Sequence, residues 1–202
     1  MTRARPYDRD KALDAALNLF WQKGYHATSL KDLEAALAMK PGSIYAAFKS
    51  KESLFLASLE RYYLNGRDQL HHALASAPTV LGGLAAHLRS FGSIGPAPDT
   101  ARACMIVKTI LDSTDAEPAI RDRARAYYDR MRADFAAYYR KAIDAGELPQ
   151  GADPDRLAQR YQADLTALRI EAHNSTDPAS VADLADAMAR EIERPAADLP
   201  AR

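Results

Sequence analysis

Residues 28–52, TSLKDLEAALAMKPGSIYAAFKSKE, allow few folds. They read as two short helices joined by a tight turn, with the start of a third behind them. Thr28 and Ser29 are favourable N-caps, and Asp32 follows Ser29 by three, close to a capping box. Leu30, Leu33 and Leu37 recur at helical spacing and give the first short helix one apolar face. Met39-Lys40 turns the chain. Pro41 suits the first position of the next helix, where its missing N–H is not needed. Ile44 and Phe48, four apart, share one face, while Ser43, Tyr45 and Lys49 fall on others, near Lys40 and Lys51. A small apolar interior with hydroxyls, a phenol and ammonium groups outside suits a helix-turn-helix laid on a phosphate backbone.

The remaining residues extend the helical reading. Alanine, leucine and arginine are abundant and β-branched residues are few outside 103–114, which favours helix. A first helix is expected over 8–23, with Leu13, Ala16, Leu17 and Phe20 on one face, Trp21 as a packing residue and Gly24 as the stop. Ser50 caps a fourth helix running to about residue 75, with Phe55, Leu59, Tyr62, Gly66 and Leu70 on one side. A fifth helix is expected over 80–91, weakened by Gly82-Gly83, then a loop over 92–99 and a buried sixth helix over 103–111. A long seventh helix covers 117–145, with an aromatic face of Tyr127, Tyr128, Phe135, Tyr138 and Tyr139 beside Ile120 and Met131. Asp153-Pro154 and Asp177-Pro178 open the last two helices, each an acidic cap followed by proline. Val181, Leu184, Met188 and Ile192 come close to a heptad seam. The expected fold is all-α with about nine helices. The expected division is 1–52 for a helix-turn-helix domain (motif 29–48), 53–194 for a helical body and 195–202 for a disordered tail.

Charge is uneven along the chain. Residues 1–52 hold nine lysines and arginines against six acids, although the totals balance at 27 each. A basic head on an acidic body fits one end that meets DNA and one that does not. Arg3 and Arg5, in the leading arm, are in reach of a groove if the arm is ordered. No apolar run is long enough for a membrane span, and no apolar region follows the first basic residues as in a signal peptide. One cysteine precludes an internal disulfide. The expected location is the cytoplasm. His26, His71, His72, His87 and His173 have no metal-ligand spacing, so no metal or cofactor is expected.

Gly24-Tyr25, Thr28-Ser29-Leu30, Gly42-Ser43-Ile44-Tyr45-Ala46-Ala47-Phe48 and Ser50-Lys51-Glu52-Ser53-Leu54 together resemble the DNA-binding domain of the TetR/AcrR family of bacterial transcriptional regulators. The resemblance covers the first quarter of the chain. It implies a homodimer joined through the last two helices, a palindromic double-stranded operator, and release by a small-molecule inducer held in the C-terminal body. The fourth helix then carries the ligand signal to the DNA. DNA contacts are expected from Thr28, Ser29, Lys40, Pro41, Gly42, Ser43, Tyr45, Ala46, Lys49 and Lys51, with Tyr45 matching a family tyrosine that donates to phosphate. The chain departs from the family at Lys40, where serine is common, at Pro41, and at Ala46 and Ala47, which replace larger side chains. Alanine makes no bidentate base contact, so base hydrogen bonds are expected mainly from Lys40 and Ser43, with DNA shape supplying specificity.

An inducer cavity is expected among Tyr62, Tyr63, Leu88, Phe91, Ile106, Ile110, Tyr127, Met131, Phe135 and Tyr161. Ten tyrosines against five phenylalanines favour walls that tolerate polar groups. Cys104 lies near a helix start, where a thiolate is favoured, and is a candidate thiol sensor as well as a candidate inert core cysteine. Two other classes stay open: an enzyme with Cys104 as nucleophile, although no local catalytic signature supports it, and a helical binding module that has lost DNA binding, which Ala46-Ala47 would permit.

Overall fold

The computed structural model describes residues 8–92 and 103–194; the leading arm with Arg3 and Arg5, most of the expected 92–99 loop and the 195–202 tail lie outside them. Nine helices and no strand occur among the described residues: α1 (Arg9–Ala27), α2 (Leu30–Leu37), α3 (Pro41–Phe48), α4 (Lys51–Ala75), α5 (Val80–Gly92), α6 (Met105–Asp112), α7 (Pro118–Asp144), α8 (Pro154–Asn174) and α9 (Pro178–Glu193).

Local chemistry explains most helix ends. Asp8, Ser29, Ser50, Asp153 and Asp177 each accept a backbone N–H at the start of the helix they precede. At Ser29 the box closes in both directions: Asp32 N–H donates to Ser29 Oγ at 3.1 Å, and Ser29 N–H to Asp32 Oδ2 at 2.8 Å. Gly24 breaks α1 with φ 79° and ψ 172°, a region open to glycine, and one further helical turn follows it. The turn after α2 begins at Ala38, one residue earlier than expected, with φ 52° in the left-handed region.

Two apolar clusters fill the molecule. The first joins Leu13, Phe20, Leu33, Ile44, Phe48, Phe55 and Leu59 of the first four helices to Met105, Ile106, Ile120 and Tyr127 of the body. The second holds Leu70, Leu84, Leu88, Phe91, Phe135, Tyr139, Tyr161, Leu165, Leu168 and Val181. α4 contributes to both, so one rigid helix runs from the helix-turn-helix into the body.

The glycines of α5 have a packing role that composition hides. A Cβ on Gly83 would stand 2.7 Å from Leu74 Cα, and one on Gly92 would stand 2.8 Å from Ala185 Cβ and 2.9 Å from Ala182 Cα. Their absence of side chain lets α5 sit directly on α4 and α9. Arg89 of α5 reinforces the second contact by pairing with Asp186 at 2.8 Å and Glu193 at 2.6 Å. The apolar stripe of α9 packs within this chain. Val181 is buried, and Leu184, Met188 and Ile192 pack on the second cluster. No described helix is long and apolar enough to cross a membrane.

Candidate functional site

α3 turns Ile44 and Phe48 into the first cluster, and that fixes what it shows to the outside. Lys40, Gly42, Ser43, Tyr45, Ala46 and Lys49 are exposed; Pro41 is half-buried. Tyr45 keeps 45% of its surface open, among the most exposed large apolar side chains described. A Cβ added at Gly42 would meet no atom of the described residues beyond its own helical turn within 4 Å, so the surface there is open to a close-approaching partner. Lys49 projects from the end of α3 with φ 69°, held by its N–H to the Tyr45 carbonyl at 2.8 Å.

Three expected contact residues are placed differently. Thr28 is 0% exposed and donates its hydroxyl to the Gly24 carbonyl at 2.7 Å, so it braces the α1–α2 corner and presents no hydroxyl outward. Ser29 is exposed, but its N–H and hydroxyl are both spent on Asp32. Asp32 also takes Lys23 Nζ at 2.6 Å, and that ammonium, with the Ser29 N–H, holds its carboxyl well below the usual range. Lys51 is half-buried with Nζ 4.5 Å from the Tyr25 ring centroid, and burial lowers its ammonium pKa. It is anchored on the head's own surface.

In the body, a cavity of about 30 Å³ lies between α4, α7 and α8. Tyr62, Tyr63, Ile106, Met131 and Phe135 line it, as the sequence suggests. Leu88, Phe91, Ile110, Tyr127 and Tyr161 do not. Leu88 is core, Ile110 packs on the first cluster, and Tyr127 stacks on Tyr63 at 4.8 Å. Phe91 and Tyr161 stand one layer behind, supporting Arg169 and His87 respectively.

The polar wall residues escaped sequence reasoning: Arg67, His87, Asp134 and Arg169. A signal for two of them existed. His87 sits among Leu84, Leu88 and Phe91 on the apolar face of α5, and Arg169 follows buried Leu165 by four on α8. Each is a polar group at a core-facing register. His87 is 3% exposed, and burial together with the Arg169 charge pulls its pKa down to about 3, leaving it neutral. Its Nδ1 lies 2.7 Å from the Tyr161 hydroxyl.

Cys104 is the half-buried N-cap residue of α6, beside the Tyr62 hydroxyl. Its surroundings join body to head. Trp21 Nε1–H donates to the Ala103 carbonyl at 2.6 Å, and the Trp21 and Tyr62 rings meet edge-on at 5.1 Å. Lys108 of α6 donates to the Gln22 carbonyl near the end of α1 at 3.1 Å. No group of three metal-ligating side chains occurs among the described residues.

Comparison with known proteins covers both halves. Residues 12–58 match the family model for bacterial regulatory proteins of the tetR family, and residues 81–189 match that for the tetracyclin repressor-like C-terminal domain. The chain is 34% identical over 179 residues to the HTH-type transcriptional repressor ComR of Escherichia coli (strain K12), covering 85% of this chain and 83% of that protein. It is 29% identical over 163 residues to the uncharacterized HTH-type transcriptional regulator YezE of Bacillus subtilis (strain 168), covering 77% and 79%. Among solved structures it resembles a cysteine mutant of the TetR family transcriptional regulator CifR complexed with 26bp double-strand operator DNA, with TM-score 0.83, 31% identity and coverage of 93% of this chain and 98% of that one. A TetR transcriptional regulator from Chloroflexus aurantiacus gives TM-score 0.78 at 27% identity, covering 93% and 94%.

Proposed function

Because the chain belongs to the TetR family of bacterial regulatory proteins, we propose that it represses transcription by holding operator DNA with α2 and α3. The observation that carries this reading is the outer face of α3: exposed Tyr45, Ser43, Lys40 and Lys49 around a glycine with open space where its Cβ would be. Hydroxyl and ammonium groups at that spacing suit phosphate oxygens, and Ala46 suits a thymine methyl. CifR, with a similar fold and 31% identity, is bound to double-strand operator DNA in its structure.

The repressor acts as a homodimer on a palindrome, its two α3 helices about 34 Å apart or a multiple of that. α8 supports this reading, since Ile170 is 47% exposed there. A small molecule in the α4–α7–α8 cavity releases the DNA through α4. Cys104, beside Tyr62, remains a candidate thiol input to the same helix; an unchanged response of Cys104→Ser to peroxide and electrophiles would remove it.

The test is selection of bound duplexes from a random pool, followed by binding to the selected site across salt concentrations. A palindromic site is expected, with affinity falling steeply as salt rises, and Lys49→Ala lowering the slope of log K against log salt by about 1. Equal indifference to every duplex at low salt would overturn the reading.

A further inference from the structure

Arg169 reaches the cavity with no paired acid among the described residues. Among the described residues it forms no ion pair, and its one hydrogen bond runs from Nη1 to the Tyr62 hydroxyl at 2.7 Å. Its guanidinium lies 4.3 Å from the Phe91 ring centroid, which holds the plane in place. A guanidinium has five N–H donors, so most of these have no acceptor among the described residues. On the same wall, the imidazole of His87 is buried, and its Nε2 has no partner among the described residues. Asp134, the one carboxylate among the described lining residues, already accepts the Tyr63 hydroxyl at 3.2 Å and shares the lining with Arg67. Leu70, Ile106, Met131, Phe135 and Leu165 supply apolar walls.

A half-buried cation without a counter-ion among the described residues contributes poorly to packing and is complementary to an oxyanion. We propose that the cavity takes an organic acid: a carboxylate received by Arg169, with an aliphatic or aromatic body against Ile106, Met131, Phe135 and Leu165. The Tyr161 hydroxyl donates to the Leu84 carbonyl at 3.1 Å, so His87 Nδ1–H donates to the Tyr161 oxygen at 2.7 Å and the imidazole stays neutral, while the guanidinium of Arg169 donates to both carboxylate oxygens. A void of about 30 Å³ holds little more than one water, so the acid enters by parting the walls. α4 supplies more of the wall than any other helix, through Tyr62, Tyr63, Gly66, Arg67 and Leu70. Its displacement moves the seat of α3. This assignment rests on the reading of the chain as a ligand-released DNA-binding repressor.

The experiment is calorimetric titration of the full chain with benzoate, hexanoate, octanoate and decanoate, against octanol and octylamine, with operator release measured in parallel. Saturable binding of at least one acid is expected, octanoate at least tenfold tighter than octanol, with octylamine weaker than both. Arg169→Gln should lose at least tenfold for the acid and keep its alcohol affinity, and Arg169→Lys should recover part of the loss. Equal binding of octanol and octanoate, an unchanged acid affinity in Arg169→Gln, or no saturable binding of any acid would overturn the assignment. Should Arg169→Gln fail to fold, the acid-against-alcohol comparison on the unmodified chain decides alone. Failure of the ligand-free chain to bind any duplex would instead sink the DNA-binding reading, and the acid titration would stand or fall separately.

Discussion

Gly42 separates what the fold needs from what a partner needs. Among the described residues no other side chain or helix lies where its Cβ would go, and its backbone is ordinary helix. Gly42→Ala should therefore leave the fold intact and raise its stability by up to about 1 kcal/mol, the cost of glycine in a helix. If DNA backbone occupies the open space, the same change weakens operator binding; a thermal melt and a mobility shift on one preparation read both. His87 allows a second residue-scale prediction. Its folded pKa of about 3 lies below its unfolded value near 6.5, so between these values only the unfolded chain takes up its proton. This group's contribution is present above pH 6.5 and is lost as pH falls toward 3, with a slope of up to about 1.4 kcal/mol per pH unit. Denaturant unfolding from pH 7 to pH 4 should show a shallower loss in His87→Gln than in the parent.

At the scale of the element, helix ends were legible because they are made by neighbours in sequence. Ser29 and Asp32, Asp153 and Pro154, and Asp177 and Pro178 complete their caps within a few residues, whatever the rest of the chain does. Helix faces were less legible. The α9 stripe comes close to a heptad seam, while Gly92, Ala182 and Ala185, which add nothing to that stripe, bring α5 onto α9 within this chain. Small residues carry little signal in an apolar pattern, yet they set how closely two helices approach. Gly92→Ala should push α5 from α9 and destabilise the fold by about 1–3 kcal/mol, measured by urea unfolding, a cost typical of overpacking. In contrast, Ala38→Gly should stabilise by about 1 kcal/mol, because Ala38 holds a left-handed turn without the freedom of glycine.

For the whole molecule, two packed routes join the cavity in the body to the helix-turn-helix. α4 is one route, since it belongs to both clusters. The second runs through the only tryptophan. Trp21 touches Tyr62 at the cavity wall and donates to Ala103 just ahead of α6, while Lys108 caps α1 from the same helix. Trp21→Phe removes the donor and keeps an aromatic ring. Operator affinity should stay within a few fold of the parent, and ligand-driven release should need a higher ligand concentration. Loss of both together would show that Trp21 serves the fold alone.

The order and type of the helices, their caps, and the inward turn of Ile44 and Phe48 were decided by the sequence, because each depends on spacing within a turn or two. The tertiary structure decided which hydroxyls are available at the head, since Thr28 was buried by contact with a carbonyl of the preceding helix. It also decided the chemistry of the cavity. Arg169 and His87 come from α8 and α5, far apart along the chain, and only packing places a cation with no counter-ion among the described residues beside a neutral imidazole. Local periodicity records which way a side chain faces, but not what it meets there.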